Sequence, residues 1–264
     1  MPDLSMSEDL VDVTRSAPTV RFYAQLQLAF DHFNQMLFEG RLTPCLITLR
    51  SSNRHNGYHH AKRFMNTKGE WLDELGMHPG FMGLRSVEEV LSTLVHEMVH
   101  HWQQHEGTPS KSNPHNREWA QKMRKVGLVP SDTALPNGRE TGHGISHFIE
   151  PQGAFHRACV ALLEQGFALE WFDRHAPVHP EQMAARVDQL KAAGVAVELS
   201  PSPVAVMSEA TGQPVSSTVV VPTPKTGSDR VKYVCQTCGI KAWAAAETLI
   251  DCGICGQALA PPQV

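Results

Sequence analysis

The stretch STLVHEMVHHWQQHEG, residues 92–107, places four histidines (His96, His100, His101 and His105) within ten residues, with Glu97 directly after the first. One helix face cannot present four imidazoles to a single ion, so their spacing has to sort them. On a wheel turning about 100° per residue, His96 and His100 fall within about 40° of each other. Glu89, Ser92 and Gln103 share their side, and Glu97 stands at its shoulder. Val87, Leu91, Leu94, Val95, Met98 and Trp102 make the opposite, apolar stripe that should pack on a core. His101 and His105 fall toward that stripe and turn inward or flank it.

His96, Glu97 and His100 spell H-E-x-x-H. Two imidazoles one helical turn apart can hold one Zn²⁺, and the adjacent glutamate reaches water on the metal. A catalytic zinc has three protein ligands and keeps one position open. It brings the pKa of that water to about 7, and the glutamate takes and relays the proton. Chance alone would supply about 0.05 such patterns in a chain of this composition. The helix is also well signalled: Ser86 and Glu89 form an S-x-x-E capping box and Gly107 marks its stop. For the third ligand the reading is His115, in NPHNREW at the start of the next helix, with Glu118 and His143 (in TGHGISH) as alternatives. His55, His59, His60 and His78 read as solvated side chains on strands or loops, although His59 or His60 could line a cleft.

Outward from this helix, apolar spacing predicts another over residues 19–38 (Phe22, Leu26, Leu28, Ala29, Phe33, Leu37), closed by Gly40. CLITLR (45–50) and GYHHAKRF (57–64) read as strands across the turn SSNRHN, and residues 74–81 as a third. Asn113 is the expected cap of the following helix, with Pro114 at its first position and Gly127 past its end. A further helix is expected over 153–167, and Trp119, Trp171 and Phe172 sit at core-like spacing.

With 264 residues, the chain can hold one sizeable domain and an appendage. At 41% hydrophobic and 19% charged it has the make-up of a soluble globular protein. Residues 1–17 read as disordered, 18–175 as the main domain, 176–229 as a Pro/Ser/Ala-rich linker interrupted by a helical patch at 181–193, and 230–260 as a small module. A net charge of −4 gives no overall pull toward nucleic acid. Residues 41–69, however, contain no Asp or Glu but hold Arg41, Arg50, Arg54, Lys62, Arg63 and Lys68, a local basic surface that DNA could use. No signal peptide and no spanning apolar run of about 18–20 residues is visible. A cytoplasmic protein without a membrane partner is expected, nucleoid-associated if DNA is involved.

The terminal module carries Cys235-x2-Cys238 and, after thirteen residues, Cys252-x2-Cys255, each pair followed by a glycine, Gly239 or Gly256. These read as zinc knuckles, with a redox dithiol as the alternative, and two of them describe a zinc ribbon with a closed tetrahedral Cys₄ site. So small a module depends on the metal to fold. Cys45 and Cys159 read as buried small residues. No phosphate-binding or dinucleotide-binding glycine loop and no G-x-S-x-G elbow occurs.

A helix, a short sheet, STLVHEMVHHWQQHEG and then a histidine in NPHNREW resemble the SprT-like zinc metallopeptidase domain. The resemblance runs over about residues 17–172 and is strongest over 88–128. It implies an α+β fold of the minimal gluzincin-like type, with a small mixed sheet and the HExxH helix. It further implies zinc on His96, His100 and His115, Glu97 as catalytic base, and a ribbon after the protease domain. Relatives often carry glycine on both sides of the third histidine, where this chain has Pro114 and Asn116. Two Zn²⁺ are thus expected, one catalytic and one structural, together with a protein substrate. By the same analogy, proteolysis would be linked to DNA, on proteins bound or crosslinked to it. The competing readings are a non-enzymatic nucleic-acid-binding or transcription-associated factor with a structural HExxH zinc, and a zinc hydrolase of non-protein amides.

Overall fold

Helix α1 spans Pro18–Phe38, with proline at its first position where the missing N–H is no loss. It ends through two left-handed residues, Glu39 (φ 61°) and Gly40 (φ 70°). Phe22, Leu26, Ala29, Phe30, Phe33 and Phe38 are buried along it. Leu28, expected in the stripe, is 55% exposed; the buried arc runs through Phe30 instead. The computed structural model describes residues 17–50, 56–173, 185, 188–195, 199–200, 202, 230–245 and 248–259. The expected disordered N-terminus, most of the turn SSNRHN and most of the linker, with much of its helical patch, lie outside them.

Strands β1 (Cys45–Leu49), β2 (Gly57–Met65) and β3 (Trp71–Met77) form a mixed sheet in the order β1-β3-β2. β1 runs parallel to β3 and β2 antiparallel to it. The third strand begins and ends earlier than the expected 74–81. Asn66 accepts the N–H groups of Lys68 and Glu70 and closes a turn directly before Trp71. Pro79 then starts a short 3₁₀ turn, Pro79–Phe81, capped by His78 Nδ1. The β2–β3 register shifts between His60 and Phe64, where Lys62 takes φ 51°.

The quoted stretch lies on α2, Val87–Glu106, whose Ser86–Glu89 capping box is present in both directions. Leu91, Leu94, Val95 and Met98 are at most 1% exposed, as the stripe requires. Burial reaches further round, however: Ser92, Thr93, His96, Glu97 and His101 are buried too, so α2 is a central helix. The next helix, α3, is Arg117–Lys125 and is capped by Asn116, three residues later than expected. The delay has a cause: His115 is held in a β-bridge with Gly142, so residues 113–115 cannot begin a helix. Gly127, at φ 85°, follows the end as expected.

A hairpin the sequence reading missed, β4 (Leu128–Ser131) and β5 (Ser146–Ile149), comes after α3. Helix α4, Ala154–Glu164, packs on α1 through Phe155 stacked on Phe33 at 5.4 Å. Trp119 and Phe172 join the core, but Trp171 is 51% exposed and does not. Leu199 packs against the same core, and Ser200 donates from N and Oγ to Glu88 Oε1. Among the described residues no helix is long and apolar enough to cross a membrane.

The chain divides into two compact units, 1–221 and 222–264. In the second, β6 (Arg230–Val234) pairs antiparallel with β7 (Lys241–Ala245) beside a small core of Tyr233, Cys235, Cys252 and Leu259.

Candidate metal centre

Helix α2 presents His96, Glu97 and His100 to a cavity of about 630 Å³, which Tyr58 and His59 of β2 and the 143–147 segment also line. His115 reaches the same cavity from the loop before α3. One ring nitrogen from each of His96, His100 and His115 lies within 4.8 Å of the others. Their ring centroids are 4.9–5.6 Å apart. Trp119 is completely buried and packs against all three, at 5.0, 5.2 and 4.5 Å, so one indole backs the whole group.

Hydrogen bonding sets the tautomers of two of these rings. Ser92 Oγ donates to the Glu89 carbonyl, and so receives the Nε2–H of His147. His147 Nδ1 is then an acceptor and takes the Nδ1–H of His96 at 3.1 Å. His115 Nδ1–H donates to the Gly142 carbonyl at 3.0 Å. Both rings therefore keep an Nε2 lone pair for the cavity, the arrangement that metal-binding histidines need. Burial above all, and then the neighbouring imidazoles, hold His96 and His100 well below the ordinary histidine range, so both are neutral. The donor set fits a zinc ion: three imidazoles, two of them held neutral, and a cavity beside them.

Glu97 is 5% exposed, and burial pushes its carboxyl up to about 8. A Cβ added to Gly57 would lie 2.9 Å from Glu97 Oε1 and 3.0 Å from its Cγ, so glycine is what lets β2 pass so close. Of the alternatives for third ligand, Glu118 is engaged elsewhere: its Oε2 accepts from Gln103 Nε2 and from the Thr108 N–H, fastening the loop after α2. His143 lines the cavity but stands outside the three-histidine group.

His101 and His105 do turn away from this group, but they converge on a polar partner. Both approach Asp73 Oδ2, as does His59. Burial alone would raise the Asp73 carboxyl; the Lys62 N–H and the His59 and His105 contacts overrule it and hold the pKa well below the usual range. His147, Asp73 and the packing of Trp119 behind the three imidazoles are absent from the sequence reading. For His147 the one local signal is the apolar run ISHFI, readable as a strand next to TGHG.

In the second unit the four cysteines come together with no disulfide between them. Sγ separations are 3.4 Å (Cys235–Cys255), 3.3 Å (Cys238–Cys252) and 3.8 Å (Cys238–Cys255). Zn–S bonds of about 2.3 Å in a tetrahedron put sulfurs roughly 3.8 Å apart, so the set fits zinc. Gly239 and Gly256 have φ near 70°, and their N–H groups return to the Cys235 and Cys252 carbonyls. Backbone N–H groups of Cys238 and Cys255 lower the thiol pKa values of Cys235 and Cys252 respectively, whereas the thiols of Cys238 (first through Cys252) and Cys255 are raised.

Residues 26–140 match the model of the SprT-like family. A protein of Salmonella typhimurium described as "Uncharacterized protein in mucB 3'region" is 46% identical over 59 residues, which make up 22% of this chain and 80% of that protein. No solved structure matches. The chain belongs to the SprT-like family.

Proposed function

We propose that this protein is a zinc-dependent metalloendopeptidase, with the ion held by His96, His100 and His115 and with Glu97 as general base. The observation that carries the reading is the convergence of three imidazole nitrogens beside the buried Glu97 carboxyl on one cavity wall. When bound, zinc supplies a Lewis acid for the scissile carbonyl and acidifies water to near neutrality. The charge of a bound ion would offset the burial and favour the carboxylate form of Glu97, which accepts the proton of the attacking water and delivers it to the departing amine. His147 and the Gly142 carbonyl keep the His96 and His115 rings in the metal-binding tautomer. Trp119 keeps water from behind the three rings.

Residues 235–255 would hold a second, structural zinc on Cys235, Cys238, Cys252 and Cys255 in a ribbon. Family membership, not geometry, supplies the substrate class: proteins associated with or crosslinked to DNA, recruited through the ribbon and the basic 41–69 segment. Part of that basic charge is already paired, Arg41 with Glu106 at 3.1 Å and Arg63 with Glu74 at 3.7 Å.

Glu97→Gln tests the chemistry. The variant should keep its zinc and lose cleavage of a denatured protein substrate; full cleavage would end the assignment of Glu97. Cleavage with and without DNA, at low and high salt, tests the substrate class. Stimulation that salt abolishes is expected, and indifference to DNA would leave a peptidase of another class of protein.

A further inference from the structure

Asp73 Oδ2 lies 2.9 Å from His59 Nε2, 3.0 Å from His101 Nδ1 and 2.9 Å from His105 Nε2. These groups belong to β2, β3 and α2, and none belongs to the His96–His100–His115 set. The side chains of His59, Asp73 and His101 are 9%, 4% and 0% exposed. His105 is the outer member, at 37%.

The oxygen is more crowded than ordinary hydrogen bonding requires. A carboxylate oxygen offers about two lone-pair directions, and here three imidazole nitrogens point at one oxygen. The other oxygen, Oδ1, is already taken by the Lys62 N–H at 2.8 Å. His101 adds to the crowding. Its Nε2 lies 2.9 Å from the Thr43 carbonyl and 3.1 Å from Thr43 Oγ1, so Thr43 accommodates the ring proton on either nitrogen. His101 Nδ1 is also only 3.4 Å from His59 Nε2, both facing the same oxygen. A cation between the three atoms would turn this crowding into three attractions.

We propose that His59 Nε2, Asp73 Oδ2 and His101 Nδ1 form a further metal site, for a divalent ion of zinc's class. One atom from each of these residues lies within 4.8 Å of the other two. Metal–ligand bonds of about 2.0–2.2 Å set tetrahedral ligands roughly 3.3–3.5 Å apart. The observed edges of 2.9, 3.0 and 3.4 Å need only a few tenths of an ångström of expansion. Two imidazoles and one carboxylate suit zinc over magnesium or calcium, which take oxygen ligands. His59 lines the cavity, which gives the ion a way in. The site clips β2 and β3 to the turn of α2 that carries His101, so it braces the helix beside the cavity histidines.

The test is a zinc count on the full chain, stripped of metal and reloaded with Zn²⁺ alone. Asp73→Asn and His59→Gln should each bind one equivalent less than wild type, whereas His105→Gln should keep the wild-type number. Wild-type stoichiometry in both of the first two variants overturns the proposal and makes the cluster a protonated hydrogen-bond hub. Should either variant fail to fold, anomalous scattering at the zinc edge from wild-type crystals decides. A peak between the three side chains supports the site, and its absence refutes it. None of these readouts depends on hydrolysis, so Glu97→Gln and this count fail or succeed separately.

Discussion

His96 Nδ1 stands 3.1 Å from His147 Nδ1, the first buried on α2 and the second fifty-one residues later on β5. Because His147 must donate through Nε2 to Ser92, it can only accept from His96, and the tautomer of His96 is set from outside its own helix. Partners of this kind are worth about 10–100-fold in metal affinity. His147→Leu should weaken zinc binding by about that factor, read by competition with a coloured chelator. Unaltered affinity would show that His96 needs no such partner.

Gly57→Ala should damage catalysis while leaving the metal in place. Its φ is not left-handed, so backbone strain plays no part; the new methyl group simply meets Glu97 Oε1 at 2.9 Å and Thr93 Cγ2 at 3.0 Å. Displacing a catalytic group by about 1 Å can lower the rate about 100-fold. The expected pattern is a fall in kcat with zinc content unchanged. Equal kcat in the two proteins would contradict the close passage of β2 over Glu97.

Lys122 gives a pH dependence. It is 6% exposed, with Nζ 4.5 Å from the Phe38 ring centroid and 5.0 Å from that of Trp102. Burial above all, and then Lys125 and Arg41, bring its pKa down to about 8. Below that pH the ammonium is charged in both folded and unfolded chains, and the folded state bears the full burden of burying it. Between about 8 and the ordinary lysine value the unfolded chain holds a proton that the folded one has released, so stability rises with pH. The urea midpoint of wild type should therefore gain on that of Lys122→Met from pH 7.5 to 10. A constant difference would mean that Lys122 titrates normally.

Cys252→Ser should remove one zinc and unfold the small unit alone. A module of this size lacks the apolar area to fold without its metal. Two-dimensional amide spectra should lose the dispersed signals of residues 230–259 and keep those of the larger unit. Persistence of the β6–β7 pairing in the metal-free variant would assign that unit's stability to its small apolar core.

Local patterns carried the reading where the chemistry is repetitive along the chain. The capping box at Ser86, the apolar stripe of α2, the left-handed glycines after each cysteine pair and the H-E-x-x-H spacing all depend on neighbours within about four residues. Periodicity and steric rules reach that far. The sequence points to Asn113 as the cap of α3 and the structure uses Asn116, because His115 pairs with Gly142, a contact across twenty-seven positions that no local rule contains. Leu28 and Trp171 were assigned to the core from their type and spacing, yet which arc of a helix or loop is covered depends on what packs against it.

What the sequence by itself determined is the inventory: two sets of candidate metal ligands, each spaced for one ion, and most of the helices and strands that carry them. Tertiary structure alone decided how those side chains are held. It brought His115 beside His100, set His147 against His96, ran Gly57 past Glu97 and gathered three imidazoles around Asp73. The physical reason is range. A helix turn relates residues three or four apart, whereas ring tautomers, buried carboxylates and close backbone approaches answer to groups that only chain folding makes neighbours.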